Sequence, residues 1–166
     1  MKRKEKSGLS AKAARVVDVN LNRLTEALKV IEDIVRFCLE SEILLRRVRA
    51  LRTKLSKEIV PLRGQVILLR SSERDLGKSE RFDRLKRKDL EDVLLANCKR
   101  AEEAARVLEE VFKIGGGGRQ KWSGIFKEVR FRLYSIEKAL IVHLRGKRLD
   151  LDGGGSILLP EVRKRI

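Results

Sequence analysis

The sequence predicts an all-α fold, a duplicated helical hairpin forming a four-helix bundle-like domain with pseudo-two-fold symmetry, on three observations. Apolar residues recur every three or four positions along four segments, as one buried helix face requires. A segment starting at Asn20 recurs 77 residues later from Asn97, so that Arg23 answers Arg100, Glu26 answers Glu103, Ala27 answers Ala104, Val30 answers Val107 and Glu32 answers Glu109. At nearly the same offset, Leu51, Arg52, Lys54 and Leu55 are answered by Val129, Arg130, Arg132 and Leu133.

Each half is therefore helix, short connection, helix. In the first helix Leu21, Leu24, Leu28, Ile31 and Val35 form the core stripe, and Cys98, Ala101, Ala105, Leu108 and Phe112 are its counterparts. The second helices carry Leu44, Val48, Leu51 and Leu55 in one half, and Trp122, Phe126, Val129, Leu133 and Ile136 in the other. A lone hairpin cannot bury such a stripe, so the two copies are expected to pack around an approximate dyad. Residues 1–14 read as a basic tail, 15–60 as the first half, 61–87 as a linker, 88–146 as the second half and 147–166 as a C-terminal tail. Pro61 and Gly64 mark a helix end, after which Val66 to Leu69 is read as a short strand or buried extended stretch. The glycines at 115–118 read as a turn between the last two helices.

At 166 residues the chain fits one compact domain. Lysine and arginine outnumber aspartate and glutamate by 40 to 24, a net charge of +16 that favours anions, either phosphorylated small molecules or nucleic acid. The 39% of charged residues points to a thermophile's ion-pair-rich surface. Cys38 and Cys98 have neither metal-ligand spacing nor a histidine cluster, since His143 is the sole histidine, and both read as buried thiols. No apolar core follows the basic start, so a cytoplasmic protein without membrane contact is expected.

At 100° per residue Asn20, Arg23 and Glu26 share one flank of the first core stripe, and the small Ala27 leaves room for a ligand beside them. An amide, a guanidinium and a carboxylate suit a phosphorylated heterocycle, and they equally suit a buried structural network. The same holds for Asn97, Arg100 and Glu103. Glu32 with Arg36, and Glu109 with Lys113, are spaced as surface ion pairs. Arg52 and Arg130 sit beside core stripes, where the partner is either a carboxylate or a ligand phosphate. In the linker, Asp75 is a candidate magnesium ligand or proton acceptor, and Gly77 lets a backbone approach phosphate. Neither glycine run, at 115–118 or 153–155, continues into the Gly-Lys-Ser/Thr of a phosphate-binding loop. His143, in an apolar helical stretch, is read as packing.

From Arg15 to Leu144 the chain resembles the small kinases that phosphorylate 4-amino-5-hydroxymethyl-2-methylpyrimidine phosphate, found alone or fused ahead of thiamine phosphate synthase. The first motif is carried by Asp18, Asn20, Asn22, Arg23, Glu26, Glu32, Asp33, Arg36 and Phe37. The third is carried by Asn97, Lys99, Arg100, Glu103, Arg106, Glu109 and Glu110, then Arg130, Arg132, Tyr134 and Glu137. The middle motif, an Arg-Asp followed three residues later by Asp-Val-Gly-Thr, reads here Arg70, Ser71, then Asp75, Leu76, Gly77 and Lys78, with Ser71 where the family has an acid. The resemblance implies transfer of the ATP γ-phosphoryl group to a phosphate monoester with Mg2+. It assigns Arg70, Arg23, Arg100, Arg52 and Arg130 to phosphates, Asn20 and Asn97 to a ring edge, and Asp75 with Glu26 or Glu103 to magnesium. Thiamine phosphate synthase is an expected partner, and a homodimer is compatible with the sequence. The rivals are a nucleic-acid-binding helical protein, which the few aromatics disfavour, and a non-catalytic module docking on thiamine phosphate synthase.

Overall fold

The computed structural model of the chain describes residues 9–70, 86–114 and 117–151, and among these there is no strand. Helix α1 spans Ala11–Ile34 and ends in a π-helical turn, Val35–Leu39; α2 spans Glu42–Glu58; α3 spans Val60–Val66 and ends in a 3-10 turn, Ile67–Leu69. Helix α4 spans Leu90–Val111, and a 3-10 turn at Gly117–Arg119 leads into α5, Gln120–Leu151.

Local chemistry sets the boundaries. Ser10 caps α1 by accepting from the Ala13 amide at 3.2 Å, and Asp89 caps α4 by accepting from the Asp92 amide at 2.8 Å. Asp92 in turn accepts from the Lys88 amide at 3.1 Å, a reciprocal arrangement that satisfies two otherwise orphaned donors. Between α1 and α2 the chain reverses at Glu40, whose φ of 53° and ψ of 30° are left-handed. Pro61 sits in the first turn of α3, where its missing N–H costs nothing.

Helix α1 packs on α2 and α4, α5 packs on α4 and α2, and the diagonal pairs do not pack closely. The four long helices thus form a square bundle in the cyclic order α1, α4, α5, α2. Arg47 donates to the Ser135 carbonyl and Lys54 pairs with Glu128, so α2 and α5 run antiparallel. The predicted stripes are the core. Leu21, Leu24, Leu28, Ile31 and Val35 are fully buried, with Leu44, Val48, Leu51 and Leu55 on α2. On the other side lie Cys98, Ala101, Ala105, Leu108, Phe112, Phe126, Val129, Leu133 and Ile136. Phe112, Trp122 and Phe126 stack at centroid distances of 5.8–6.3 Å where α4 turns into α5.

Several local expectations are corrected. Val66 to Leu69 is helical rather than extended, because Leu62 and Val66, four apart, bury one face of α3 against α1 and leave Leu68 83% exposed. The first nine residues assigned to the linker therefore belong to packed helix, and α5 continues past residue 146 to Leu151. Cys38 is exposed while Cys98 is buried. The π turn at Val35–Leu39 takes more residues per revolution than an α turn, which brings Leu39 over the core and swings Cys38 outward. No described helix is long and apolar enough to cross a membrane.

Candidate functional site

Asn20 and Asn97 are each tied to their own helix through one side-chain N–H. Each donates its side-chain amide to the carbonyl four residues back, Val16 and Val93, at 2.8 Å in both halves. Arg52 and Arg130 are engaged by carboxylates, the first of the two alternatives the sequence left for them. Arg52 and Arg49 of α2 pair with Glu32, and Arg130 of α5 pairs with Glu109 at 2.8 Å. Glu32 is thus not the ion-pair partner of Arg36 one helical turn on, while Glu109 adds Arg130 to its expected partner Lys113. Both are buried, because their positions face α2 and α5 across the bundle edge. Burial alone would push these carboxyls up, yet hydrogen bonds from Arg52 and Arg49 at Glu32, and from Arg130 and Lys113 at Glu109, outweigh it and hold both below the usual carboxylate range. Lys113 does reach Glu109, at 3.4 Å, whereas Arg36 lies over the Phe37 ring.

The edge between α1 and α2 is where two predicted motifs meet. Helix α3 folds back along α1, so that Arg63 donates to the Asn22 Oδ1 at 3.1 Å and to the Thr25 hydroxyl at 3.0 Å. At the end of the following 3-10 turn, Arg70 makes a bidentate pair with Asp18, at 2.7 and 2.8 Å. These hydrogen bonds, followed by the charges of Asp18 and Glu26, raise the Arg70 pKa. Asp18 is buried, and the Arg70 side chain remains 40% exposed. The result is a half-exposed guanidinium held by a buried aspartate, with Arg63 one helical turn away along α1 and Glu26 close by.

Asp75 and Gly77 lie outside the described residues, as does Ser71. Arg23, Glu26, Arg100 and Glu103 are exposed and, among the described residues, make no hydrogen bond or ion pair. By helical phase they lie on the α1–α4 edge, away from Arg52 and Arg130. Sequence reasoning singled out Arg70 and Glu26, placed Asp18 in the first motif without giving it a role, and passed over Arg63 and Thr25. The usable signal was the offset repeat itself, since Asp18 is answered by Leu95 and Thr25 by Glu102, marking a flank where the halves differ.

The equivalent edge of the second half, between α4 and α5, is built differently. Lys99 bridges Glu102 at 3.1 Å and Glu137 at 3.0 Å, and Glu102 is buried with Oε1 unpartnered among the described residues. Burial, followed by the neighbouring Glu137 charge, pushes Glu102 up, while Lys99 opposes it. The adjacent Cys98 thiol is pushed up to about 12, mainly by burial, which makes it an inert packing group. His143 is half-buried on α5, with Nε2 unpartnered among the described residues, in keeping with a packing role. Among the described residues no group of three or more His, Cys, Asp or Glu is arranged to hold a metal ion.

Fold and site together define a class: a duplicated four-helix bundle with a cation-bearing polar edge on its first half and no described metal cluster. The ThiD2 family model matches residues 15–139, and the chain belongs to the ThiD2 family. It is 34% identical over 146 residues to a thiamine-phosphate synthase of Synechococcus sp. strain CC9605, covering 86% of this chain and 39% of that protein. It is 33% identical over 129 residues to the thiamine-phosphate synthase of Synechocystis sp. strain PCC 6803, covering 77% and 36%. With that of Thermosynechococcus vestitus strain BP-1 it shares 32% over 154 residues, covering 92% and 42%. The chain therefore spans about two fifths of the length of the curated relatives it matches. No solved structure matches it.

Proposed function

We propose that the chain is a kinase of thiamine biosynthesis, transferring the ATP γ-phosphoryl group to hydroxymethylpyrimidine phosphate to give the diphosphate. The observation that carries this reading is the contact between Arg70 and Asp18, because it joins the first residue of the middle motif to the first residue of the N-terminal motif. The names of the relatives, which place them in thiamine chemistry, are consistent with it.

In such a transfer a phosphate oxygen of the monoester attacks the γ-phosphorus, the bond to the β–γ bridging oxygen breaks, and ADP leaves. The nucleophile is already anionic and needs little help from a base. Catalysis then consists of positioning and charge neutralisation, which guanidinium groups supply. Asp18 fixes the plane of Arg70, and Arg63 provides a second cation along the same face of α1. Asp75 and Gly77, five and seven residues after Arg70 in the chain, are the proposed magnesium ligand and phosphate approach. The described residues by themselves do not fit a resident Mg2+ held by protein carboxylates.

The test incubates the pure protein with ATP, Mg2+ and hydroxymethylpyrimidine phosphate and follows diphosphate by chromatography. Wild type should turn over, and Arg70→Ala and Asp75→Ala should each lower kcat/KM by about a hundredfold or more. Arg63→Ala should act mainly on KM. Absence of diphosphate with the wild-type protein overturns the reading.

A further inference from the structure

The outer edge between α1 and α4 carries a repeated pattern of which Val30 and Val93 pack against the core while the other residues face outward. Val16, Val19 and Val30 on α1 are answered, at the same offset of 77, by Val93, Ala96 and Val107 on α4. Between them stand Arg23 and Glu26, answered by Arg100 and Glu103. All ten positions are exposed or half-buried; Val16 is 40% and Val107 36% exposed. Over the same helices the core has diverged, with Leu21, Leu24 and Leu28 replaced by Cys98, Ala101 and Ala105. The two halves keep identical residues at the outward Val16, Arg23, Glu26 and Val30, as they do at the buried Ala27 and Glu32, while the large apolar core positions differ; a repeat kept on an outward stripe fits a contact outside the fold.

Its phase places it precisely on one face of the molecule. Glu32 and Glu109 mark the sides of α1 and α4 that turn to α2 and α5, and the buried Ala27 and Ala104 mark the opposite sides, where α1 and α4 touch. The stripes lie just beyond those alanines, so they flank the α1–α4 seam together. No other described helix covers them.

The charge of this face selects its occupant. The chain carries +16 overall, and on the α2–α5 face opposite Arg46, Arg47, Lys54, Lys57 and Arg132 outnumber their carboxylate neighbours Glu42, Glu58 and Glu128. The two stripes instead carry two arginines and two glutamates, with no net charge. Neighbouring charges on the same helices are paired, as in Lys29 with Asp33 and Arg106 with Glu110, whereas these four make no ion pair among the described residues, Glu26 acting on Arg70 only through space. Two copies of so basic a chain can approach only where their surfaces are locally neutral and complementary. A face related to itself by the internal dyad, with Arg and Glu alternating between valines, meets that requirement for an isologous contact.

We infer that the α1–α4 face is a homodimer interface, in which Arg23 and Arg100 of one copy pair with Glu26 and Glu103 of the other between small apolar contacts. The stripe from residue 16 to 30 is about 21 Å long at the helical rise, on two helices about 8–10 Å apart. Such a patch lies at the small end of specific interfaces, so the dimer should dissociate on dilution. The inference does not depend on the phosphotransfer reading, because its readout is mass rather than activity.

Sedimentation velocity of the full chain from about 1 to 200 µM tests it, and wild type should pass from monomer to dimer across that range. Arg23→Glu with Arg100→Glu, and separately Glu26→Arg with Glu103→Arg, should each give a helical monomer, since all four side chains are exposed. Mixed in equal amounts, the two oppositely charged variants should form a heterodimer. A wild type that stays monomeric at 200 µM overturns the inference, as do variants that still self-associate or a mixture that stays monomeric. Val107→Asp, also exposed, provides an independent variant, and persistence of its dimer counts against the interface.

Discussion

Glu32 and Glu109 show how much a single residue's role depends on what faces it. Each is buried, and each is satisfied by an arginine one helix away. Their carboxyls are held below the ordinary range, so their folded pKa lies under the unfolded one. The stability they contribute is fully present above the unfolded pKa and is lost as pH falls through the depressed folded value. Urea unfolding should therefore find Glu109→Gln less stable than wild type by about 1–3 kcal/mol at pH 7. The gap should shrink steadily below about pH 4, as the wild-type carboxyl protonates. A difference that stays constant down to pH 2.5 would show that the ion pair is not what Glu109 supplies. The helical spacing of Glu32 to Arg36 was legible in the sequence, but it pointed to the wrong partner. Spacing along one helix cannot report a guanidinium arriving from another, and Arg52 comes from 20 positions away.

At the scale of the element, the first hairpin turn is the least regular described segment. The π turn at Val35–Leu39 ends α1, and the next residue, Glu40, takes a left-handed conformation that an L side chain adopts at a cost. Glycine adopts it freely. Glu40→Gly should raise stability by about 0.5–1 kcal/mol, equivalent to a few degrees in Tm by calorimetry, and an unchanged or lowered Tm would contradict this account. The helices themselves were readable, because their stripes recur at spacings of three and four. The π turn was not, since it changes the number of residues per turn within five positions, too few for periodicity to register. The outward Cys38 follows from it. Helix α3 escaped for a related reason: a seven-residue helix offers only Leu62 and Val66 as its buried face, too short a pattern to distinguish from an extended run.

For the molecule as a whole, the duplication has an energetic meaning. The stripes of α1 and α4 bury against each other, so neither hairpin can close its own core. Residues 9–70 and 86–151 expressed separately should each show weak helical circular dichroism without a cooperative melt, and mixing them should restore both. A half that melts cooperatively alone would mean that its core is self-sufficient. The sequence by itself determined the all-α class, the dyad repeat and nearly every core position, because helix periodicity and internal repetition are properties of the chain in one dimension. It also marked Arg70 and the Arg23–Glu26 flank, with their counterparts, as positions to examine. Only the tertiary structure decided which polar residues are architecture and which face outward. That choice depends on which helix edge each flank meets: α2 and α5 bring arginines to Glu32 and Glu109, α3 brings Arg63 and Arg70 onto α1, and nothing described comes to the α1–α4 edge.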